Sequence, residues 1–535
     1  MHTVSPATVK TAPSSTGWRS RLPLQLLLAF IVLTGLGLRL DGLSAYGFSE
    51  DEVAKLQAID AYRRGDYSAN AEHPMLMKLA MWGSLDVAEA WNRRMPRSVA
   101  IAQESALRLP NAIAGAATTL AVYGAGSLLL GPATAILAAF LVAVDPTIIS
   151  INRIGKEDTL LMLFFLLAVW CYERAKRIGA TNPQRAQPWY TAAGACFGLM
   201  LASKYLPHLI GLNVLFNMAV QMRAGANAPR PRTYYPAMLA AFLCANFGVL
   251  LPSTWSYVAG YLRGHTSTHH GYLYAGELYV NTADFMLWGV PWTYYLRMIV
   301  TKSPLPALAG MLVGLGLLFT RRNVRGFVWL RVFTVVVLIG YSAVAAKFQR
   351  YALPLLLVLE MLSAAGLIAL AQWFWRRGWP DTIRVPVATA AVGVLAVALA
   401  LAPLQVAPYF SIYQNWIGAG QAAPATVYPE EAYDYGVREA VGAIMAAAGP
   451  GAAIVSDATL VVDHYVRQTL RHDLEVRSLS QHGLRPRGEH WILVQDSHLY
   501  FENAVLVEQL RRSQVPWREY RLGGTSVLQV FKVML

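Results

Sequence analysis

Apolar runs of about 17–23 residues, almost free of charge, recur from Leu22 to near residue 408. A bilayer core of ~30 Å is crossed by ~20 apolar residues in a helix, so the pattern predicts a polytopic α-helical membrane protein with about eleven spans. The expected spans are 22–40, 108–130, 132–150, 158–173, 188–203, 205–221, 235–258, 304–320, 327–346, 351–373 and 385–408, making 22–408 the membrane domain. The first run follows Arg19 and Arg21 and lacks a small-x-small cleavage site, which reads as a retained signal anchor after a cytoplasmic segment 1–21. The pattern changes in kind in the tail. Strand-like pieces at 452–456, 474–478, 490–495 and 526–533 alternate with helix-like pieces at 460–470 and 503–512. They predict a small α/β domain over 431–535, reached through a proline-bearing linker, 409–430. Gly449–Gly451 precede its first strand instead of following it, which argues against a phosphate loop and for a docking or lid domain.

Composition agrees with the pattern. Of 535 residues, 55% are hydrophobic and 14% charged, against about 25% charged in an ordinary soluble domain. Disorder, collagen and a disulfide scaffold are excluded. The three cysteines, Cys171, Cys196 and Cys244, lie in apolar segments without metal spacing. The net charge of +14 would raise the question of nucleic acid in a soluble protein. Here it is concentrated in alternate short connections: Arg174, Lys176, Arg177 and Arg185; Arg223, Arg230 and Arg232; Arg321, Arg322, Arg325 and Arg331; Arg376, Arg377 and Arg384. The positive-inside rule puts these connections in the cytoplasm. Two long loops, 41–107 and 259–303, and the tail then face the other side. The short connections on that side hold few cations: Arg153 with Lys156, Lys204, and Lys347 with Arg350. Such residues often reach toward headgroups, but these stand beside other polar residues.

Candidate chemistry concentrates in the first long loop, at Tyr46-Gly47-Phe48-Ser49-Glu50-Asp51-Glu52 and at Glu72-His73-Pro74-Met75-Leu76-Met77-Lys78. Acids at a helix start gain ~0.3–1 kcal/mol from the helix dipole. Alternatively, a carboxylate at the membrane surface serves as general base toward a hydroxyl. The second long loop carries His265, His269, His270 and Glu277 among tyrosines, without a Cys-x2-Cys spacing, so no metal site is assigned. It reads as an aromatic loop that closes over a substrate. Glu360 lies inside an apolar span without an assigned role, and Gly35, Gly115 and Gly194 suit close helix packing.

The order of these motifs resembles the protein O-mannosyltransferase and aminoarabinose-transferase type of polyprenyl-phosphate-dependent glycosyltransferase, a glycosyltransferase family 39-like chain of the GT-C fold. The resemblance rests on the acidic first loop with His-Pro-x-Leu-x-Lys, on Arg153-x4-Asp158, and on Gly198-Leu-Met-Leu-Ala-Ser203-Lys204-Tyr205. It continues through Thr301-Lys302-Ser303-Pro304-Leu305-Pro306 and Arg350-Tyr351-Ala352-Leu353-Pro354, covering roughly residues 22–373. Met75 stands where the family has a second proline. The resemblance implies an integral membrane enzyme, of a bacterial inner membrane, with its C-terminal domain outside the cytoplasm. It would move a sugar from a polyprenyl-phosphate donor to a hydroxyl of a protein, lipid or polysaccharide, with inversion. Asp51 is then the expected general base, and Glu52 or Glu72 would position the acceptor or a divalent cation, the one cofactor left open. His73, Asp158, His269 and His270 would contact substrate, while Lys78, Arg153, Lys204 and Arg350 would neutralise the leaving phosphate. A transporter or lipid flippase is the alternative, but the two halves show none of the internal symmetry that transporters usually carry.

Overall fold

A computed structural model describes residues 22–206, 209, 211–212, 232–264, 269–281, 289–377, 380–418, 427–429, 433–469, 471–484 and 487–535. Helix α1 (Leu22–Leu40) leads into two helices of the first long loop, α2 (Glu50–Arg63) and α3 (Leu76–Arg94). The bundle continues with α4 (Gln103–Leu129), α5 (Pro132–Val144), the short α6 (Pro146–Ile151), α7 (Asp158–Gly179), α8 (Pro183–Ser203), α9 (Tyr234–Ala245) and α10 (Pro252–Gly264). A two-stranded hairpin, β1 (His269–Tyr274) and β2 (Glu277–Asn281), precedes α11 (Tyr294–Lys302), α12 (Leu305–Thr320), α13 (Arg325–Ala343), α14 (Leu353–Trp375) and α15 (Asp381–Leu404).

Among the described residues, five helices are long and apolar enough to cross a bilayer, and α5, α9 and α12 are shorter apolar helices. The chain is an integral membrane protein. Each expected span coincides with a helix except 205–221, which lies almost wholly outside the described residues. Two spans are broken. The run 132–150 ends its first helix at Val144, because Asp145 caps a new helix by accepting from the Ile148 N–H at 2.7 Å and Pro146 starts it. The run 235–258 stops at Ala245, and Pro252 opens α10. Helix α14 is buried over most of its length and stands at the centre, whereas α15 is largely exposed. Small residues allow the close crossings. A Cβ on Gly194 of α8 would collide with the Tyr234 carbonyl of α9, and one on Gly366 of α14 with the Gly310 carbonyl of α12. The directions of α7, α12, α13 and α14 put the described Arg-rich connections at one end of the bundle. The other end carries α2, α3, the hairpin and the C-terminal domain.

That domain holds a five-stranded mixed sheet of order β4-β3-β5-β7-β6, with β3 (Ala453–Val455), β4 (Glu475–Arg477), β5 (Glu489–Val494), β6 (Arg518–Leu522) and β7 (Thr525–Met534). Strands β4, β3 and β5 are parallel, and β7 runs antiparallel to β5 and β6. Its helices are α16 (Val437–Ala447), α17 (Thr459–Arg467), the single turn α18 (Leu479–His482) and α19 (Ala504–Ser513). Helix α16 and strand β6 are absent from the sequence-based reading. Residues 409–418 of the expected linker are not extended: Phe410–Ile412 form a buried turn beside α6.

The domain docks on the first long loop through directed bonds. The Phe48 N–H donates to the Tyr465 hydroxyl at 2.7 Å, which donates to Glu104 at 3.1 Å. Arg438 also meets Glu104, at 3.0 Å, and donates to the Ser44 carbonyl.

Candidate active site

Helix α2 starts where Ser49 supplies an N-cap in extended conformation and Glu52 reaches back to the Ser49 N–H at 2.9 Å. This geometry sends three consecutive acids in different directions. Glu52 turns inward, fully buried. Arg108 donates to both its oxygens, at 2.8 and 2.7 Å, and the Gly155 N–H adds a bond at 2.9 Å. Burial alone would raise its carboxyl, but Arg108 outweighs that and lowers it. Glu50 and Asp51 turn the other way, into a cavity of about 430 Å³ at the end of the bundle that carries the C-terminal domain.

The cavity gathers residues from across the chain: Asp51 and Lys55 of α2, Glu72 and His73, Lys156–Asp158, Lys204, Arg350 and Tyr351, Gly271 and Tyr272 of the hairpin, and Asp434, Ser497, His498 and Tyr500 of the C-terminal domain. Most of its charges are paired. Lys156 contacts Asp51, and Arg350 stands 3.9 Å from the same carboxylate. Lys55 meets Glu157 at 2.9 Å, Lys204 meets Asp158 at 2.7 Å, and His498 meets Asp434 at 2.7 Å. Burial would raise the Asp51 carboxyl, but Lys156, Arg350 and Lys55 hold it well below the usual carboxylate range. Burial lowers Lys156 to about 8, against the pull of Asp51. It also lowers His73 to about 4, so His73 is neutral near pH 7 although Glu157 lies 3.8 Å away.

Of the residues singled out by sequence, Asp51, Glu72, His73, Asp158, Lys204 and Arg350 line this cavity. Glu52, Lys78 and Arg153 do not. Lys78 is buried and donates to the Asn70 and His73 carbonyls at 2.6 and 2.9 Å, holding the turn that carries Glu72 and His73. Arg153 donates to the Leu38 and Gly42 carbonyls at 3.1 and 2.9 Å, tying the end of α1 to the loop before α7. His269 and His270 open β1, and their side chains lie outside the described residues, as does His265. Sequence reasoning missed Glu50, Lys55, Glu157, Asp434 and His498 as cavity residues. Lys55, one turn after Asp51 on the same helix face, was the one with a readable signal.

Among the described residues, no cluster of three or more His, Cys, Asp or Glu side chains is placed to hold a metal ion. Glu52 is fully engaged by Arg108, and Glu72 accepts from Asn70 at 2.6 Å. Glu52 is therefore not available to a divalent cation, and no step is routed through one.

Comparisons with known proteins bear on this arrangement. The family model described as dolichyl-phosphate-mannose-protein mannosyltransferase matches residues 89–251. No curated protein matches the sequence. ArnT from Cupriavidus metallidurans in the apo state is similar in structure, with a TM-score of 0.52 at 12% identity over 96% of this chain and 98% of that one. The apo oligosaccharyltransferase of Archaeoglobus fulgidus gives 0.52 at 12% identity, over 89% of this chain and 70% of that one. The same organism's AglB in complex with an inhibitory peptide and a dolichol-phosphate gives 0.50 at 12%, over 86% and 65%. The resemblance read from the motifs therefore stands: the chain has the GT-C fold of polyprenyl-phosphate-dependent glycosyltransferases, and its segment 89–251 matches the mannosyltransferase family model.

Proposed function

We propose that the protein is a membrane glycosyltransferase that moves a sugar from a polyprenyl-phosphate donor to an acceptor hydroxyl of a protein, lipid or polysaccharide. One observation carries this reading: Asp51 shares a single cavity at the bundle's end with Lys156, Lys204 and Arg350. A carboxylate for the hydroxyl and cations for a phosphate are what the reaction asks of a site. The acceptor oxygen bonds to the anomeric carbon, the bond from that carbon to the phosphate oxygen breaks with its electron pair, and the hydroxyl proton goes to Asp51. Attack opposite the leaving phosphate inverts the configuration. Cations preorganised in a water-poor site stabilise charge where it grows. Lys156 and Arg350 also link the two halves of the step. As they turn to the phosphate they release Asp51, whose proton affinity then rises. The dolichol-phosphate bound by the Archaeoglobus enzyme supports a lipid phosphate as donor group.

The same reading orients the chain. The Arg-rich ends face the cytoplasm by the positive-inside rule, so the cavity and the C-terminal domain face outward from a bacterial inner membrane. Asp51→Asn, assayed in purified folded protein with radiolabelled polyprenyl-phosphate sugar, is expected to lose about 10²–10⁴ in rate. Wild-type turnover in that variant would remove Asp51 from the mechanism. Mass spectrometry of envelope lipids and glycoproteins from a deletion strain would identify donor and acceptor through the sugar that disappears. Lipid movement across vesicles without sugar transfer would put a flippase in this reading's place.

A further inference from the structure

The proton taken from the acceptor needs a destination. Once the lipid phosphate leaves, Lys156 and Arg350 face Asp51 again, and the carboxyl they hold so low cannot keep a proton near neutrality. The next residue back in the chain is differently placed. Glu50 lines the same cavity with its side chain exposed to the cavity's solvent, and among the described residues the bond it makes is through its backbone N–H, with no ion pair to its carboxylate. The other acids around the cavity are each engaged: Asp51 by Lys156, Glu72 by Asn70, Glu157 by Lys55, Asp158 by Lys204 and Asp434 by His498.

The position of Glu50 is set by the C-terminal domain. Its backbone N–H donates to Asp434 Oδ2 at 2.8 Å, and the other oxygen of Asp434 lies 2.7 Å from His498 Nε2. His498 Nδ1 lies 2.9 Å from the Tyr500 hydroxyl. Both His498 and Tyr500 also line the cavity. Resting on the sugar-transfer reading, we propose that Glu50 is the carboxylate onto which Asp51 passes the acceptor's proton after each transfer, with Asp434 and His498 of the C-terminal domain tuning that hand-over.

The step balances. The proton leaves the acceptor oxygen for Asp51 as the new glycosidic bond forms, and the electron pair of the broken bond stays on the lipid phosphate. The returning cations then expel the proton from Asp51 across the cavity's water to Glu50, which releases it to solvent. Four groups face Glu50: His498 and Asp434 from the C-terminal domain, Asp51 from the same helix turn, and Lys156 from the loop before α7. The Glu50 side chain stays exposed to the solvent of the cavity. Its partial loss of hydration among the surrounding walls raises the carboxyl, His498 lowers it, Asp434 and Asp51 raise it and Lys156 lowers it, leaving it at about 7. A group so poised accepts and releases protons at neutral pH, whereas Asp51 does only one of these.

The test uses full-length protein in nanodiscs, polyprenyl-phosphate [14C]mannose as donor and envelope membranes of a deletion strain as acceptor. Wild-type kcat is expected to fall about tenfold per pH unit below ~7, where Glu50 is already protonated. Glu50→Gln should lower the plateau about tenfold or more and abolish that limb, with the donor KM unchanged. Glu50→Asp should restore it. His498→Gln should move the limb to higher pH, because the imidazolium lowers Glu50, an effect a purely structural role would not produce. Infrared titration without substrate should show a carboxyl band near pH 7 that is missing from Glu50→Gln. An unchanged limb in Glu50→Gln, or a band that persists there, overturns the assignment and leaves sugar transfer standing. A wild-type enzyme that transfers nothing from this donor, while the band behaves as expected, overturns the transfer reading and the relay with it.

Discussion

Glu52 accepts from Arg108 through both carboxylate oxygens, and Arg108 spends its remaining donors on the Leu43, Tyr46 and Gly47 carbonyls at 2.7, 3.0 and 2.6 Å. No donor of this guanidinium is left for a substrate. The pair instead fixes the 43–47 turn and, through it, the first turn of α2 on which Glu50 and Asp51 stand. Breaking a buried pair from one side leaves an uncompensated charge and costs about 3–5 kcal/mol. Arg108→Met is therefore expected to lower thermal stability in detergent sharply. Arg108→Met combined with Glu52→Leu should recover much of it, because the second change removes the stranded carboxylate. A single variant that melts with the wild type would show the pair to be solvated. Lys204 contrasts with Arg108. It sits at the cavity between Asp158 and the Tyr351 ring, 4.6 Å from the ring centroid. Lys204→Ala should raise the donor KM several-fold and, because it strands the buried Asp158 carboxylate, also lower the melting temperature. Lys204→Ala combined with Asp158→Asn should regain stability but not donor affinity, as measured by transfer kinetics and a parallel thermal scan.

At the scale of elements, helices read well from sequence where they are long and apolar, and the reason is the bilayer. A membrane-spanning helix satisfies its backbone internally, so the apolar run alone marks α1, α4, α13 and α14. The places where reading stopped have physical causes. Asp145 breaks a continuous apolar run because its side chain caps a new helix that Pro146 starts, and Asn246 breaks another where its side chain accepts from the Met75 N–H and donates to the Tyr205 hydroxyl, both at 3.0 Å. Strand β6 (Arg518–Leu522) is polar and partly exposed, pairing only with β7, so it carries no core pattern to recognise. The site divides along the same line. Asp51, Lys204 and Arg350 were legible because motifs near helix ends carry them, whereas His498 and Asp434 reach the cavity only through the docking of a separate domain, which local sequence does not encode. Close packing was legible at Gly194. A prediction follows from the equivalent crossing of α12 and α14. Gly366→Ala places a methyl group against the Gly310 carbonyl, a backbone atom that cannot swing aside. The two helices must separate, and the expected result is a lowered melting temperature with a loosened α12, read as faster hydrogen exchange in 305–320.

At the scale of the whole molecule, the cavity has a floor of helix ends and a roof built from the C-terminal domain. The roof is formed by the segments that follow the carboxyl ends of its parallel strands. β5 leads into Ser497 and His498, and β3 leads into Asp457, which accepts from Ser478, Ser480 and Asn503 and so braces that edge. This edge of an open parallel sheet is where α/β domains commonly bind ligands, and here it is turned onto the membrane-embedded site. The link from roof to floor runs through His498, Asp434 and the Glu50 N–H, so roof and floor should part with pH. Burial would lower His498, but Asp434 overcomes that and raises it to about 9, above an unfolded value of ~6.5. A raised imidazolium stabilises the folded arrangement fully below ~6.5, and its contribution is lost as pH climbs from there through about 9. Hydrogen exchange in 433–436 and 496–500 is therefore expected to accelerate from pH 7 to 9.5 beyond the intrinsic rise with hydroxide, while β5 and β7 stay protected. In His498→Gln the extra acceleration should already be present at pH 6.5 and gain nothing further with pH. Equal protection across this range in the wild type would mean that docking rests on Tyr465, Glu104 and Arg438 alone, and that the Asp434–His498 pair serves the chemistry of the cavity without holding its roof.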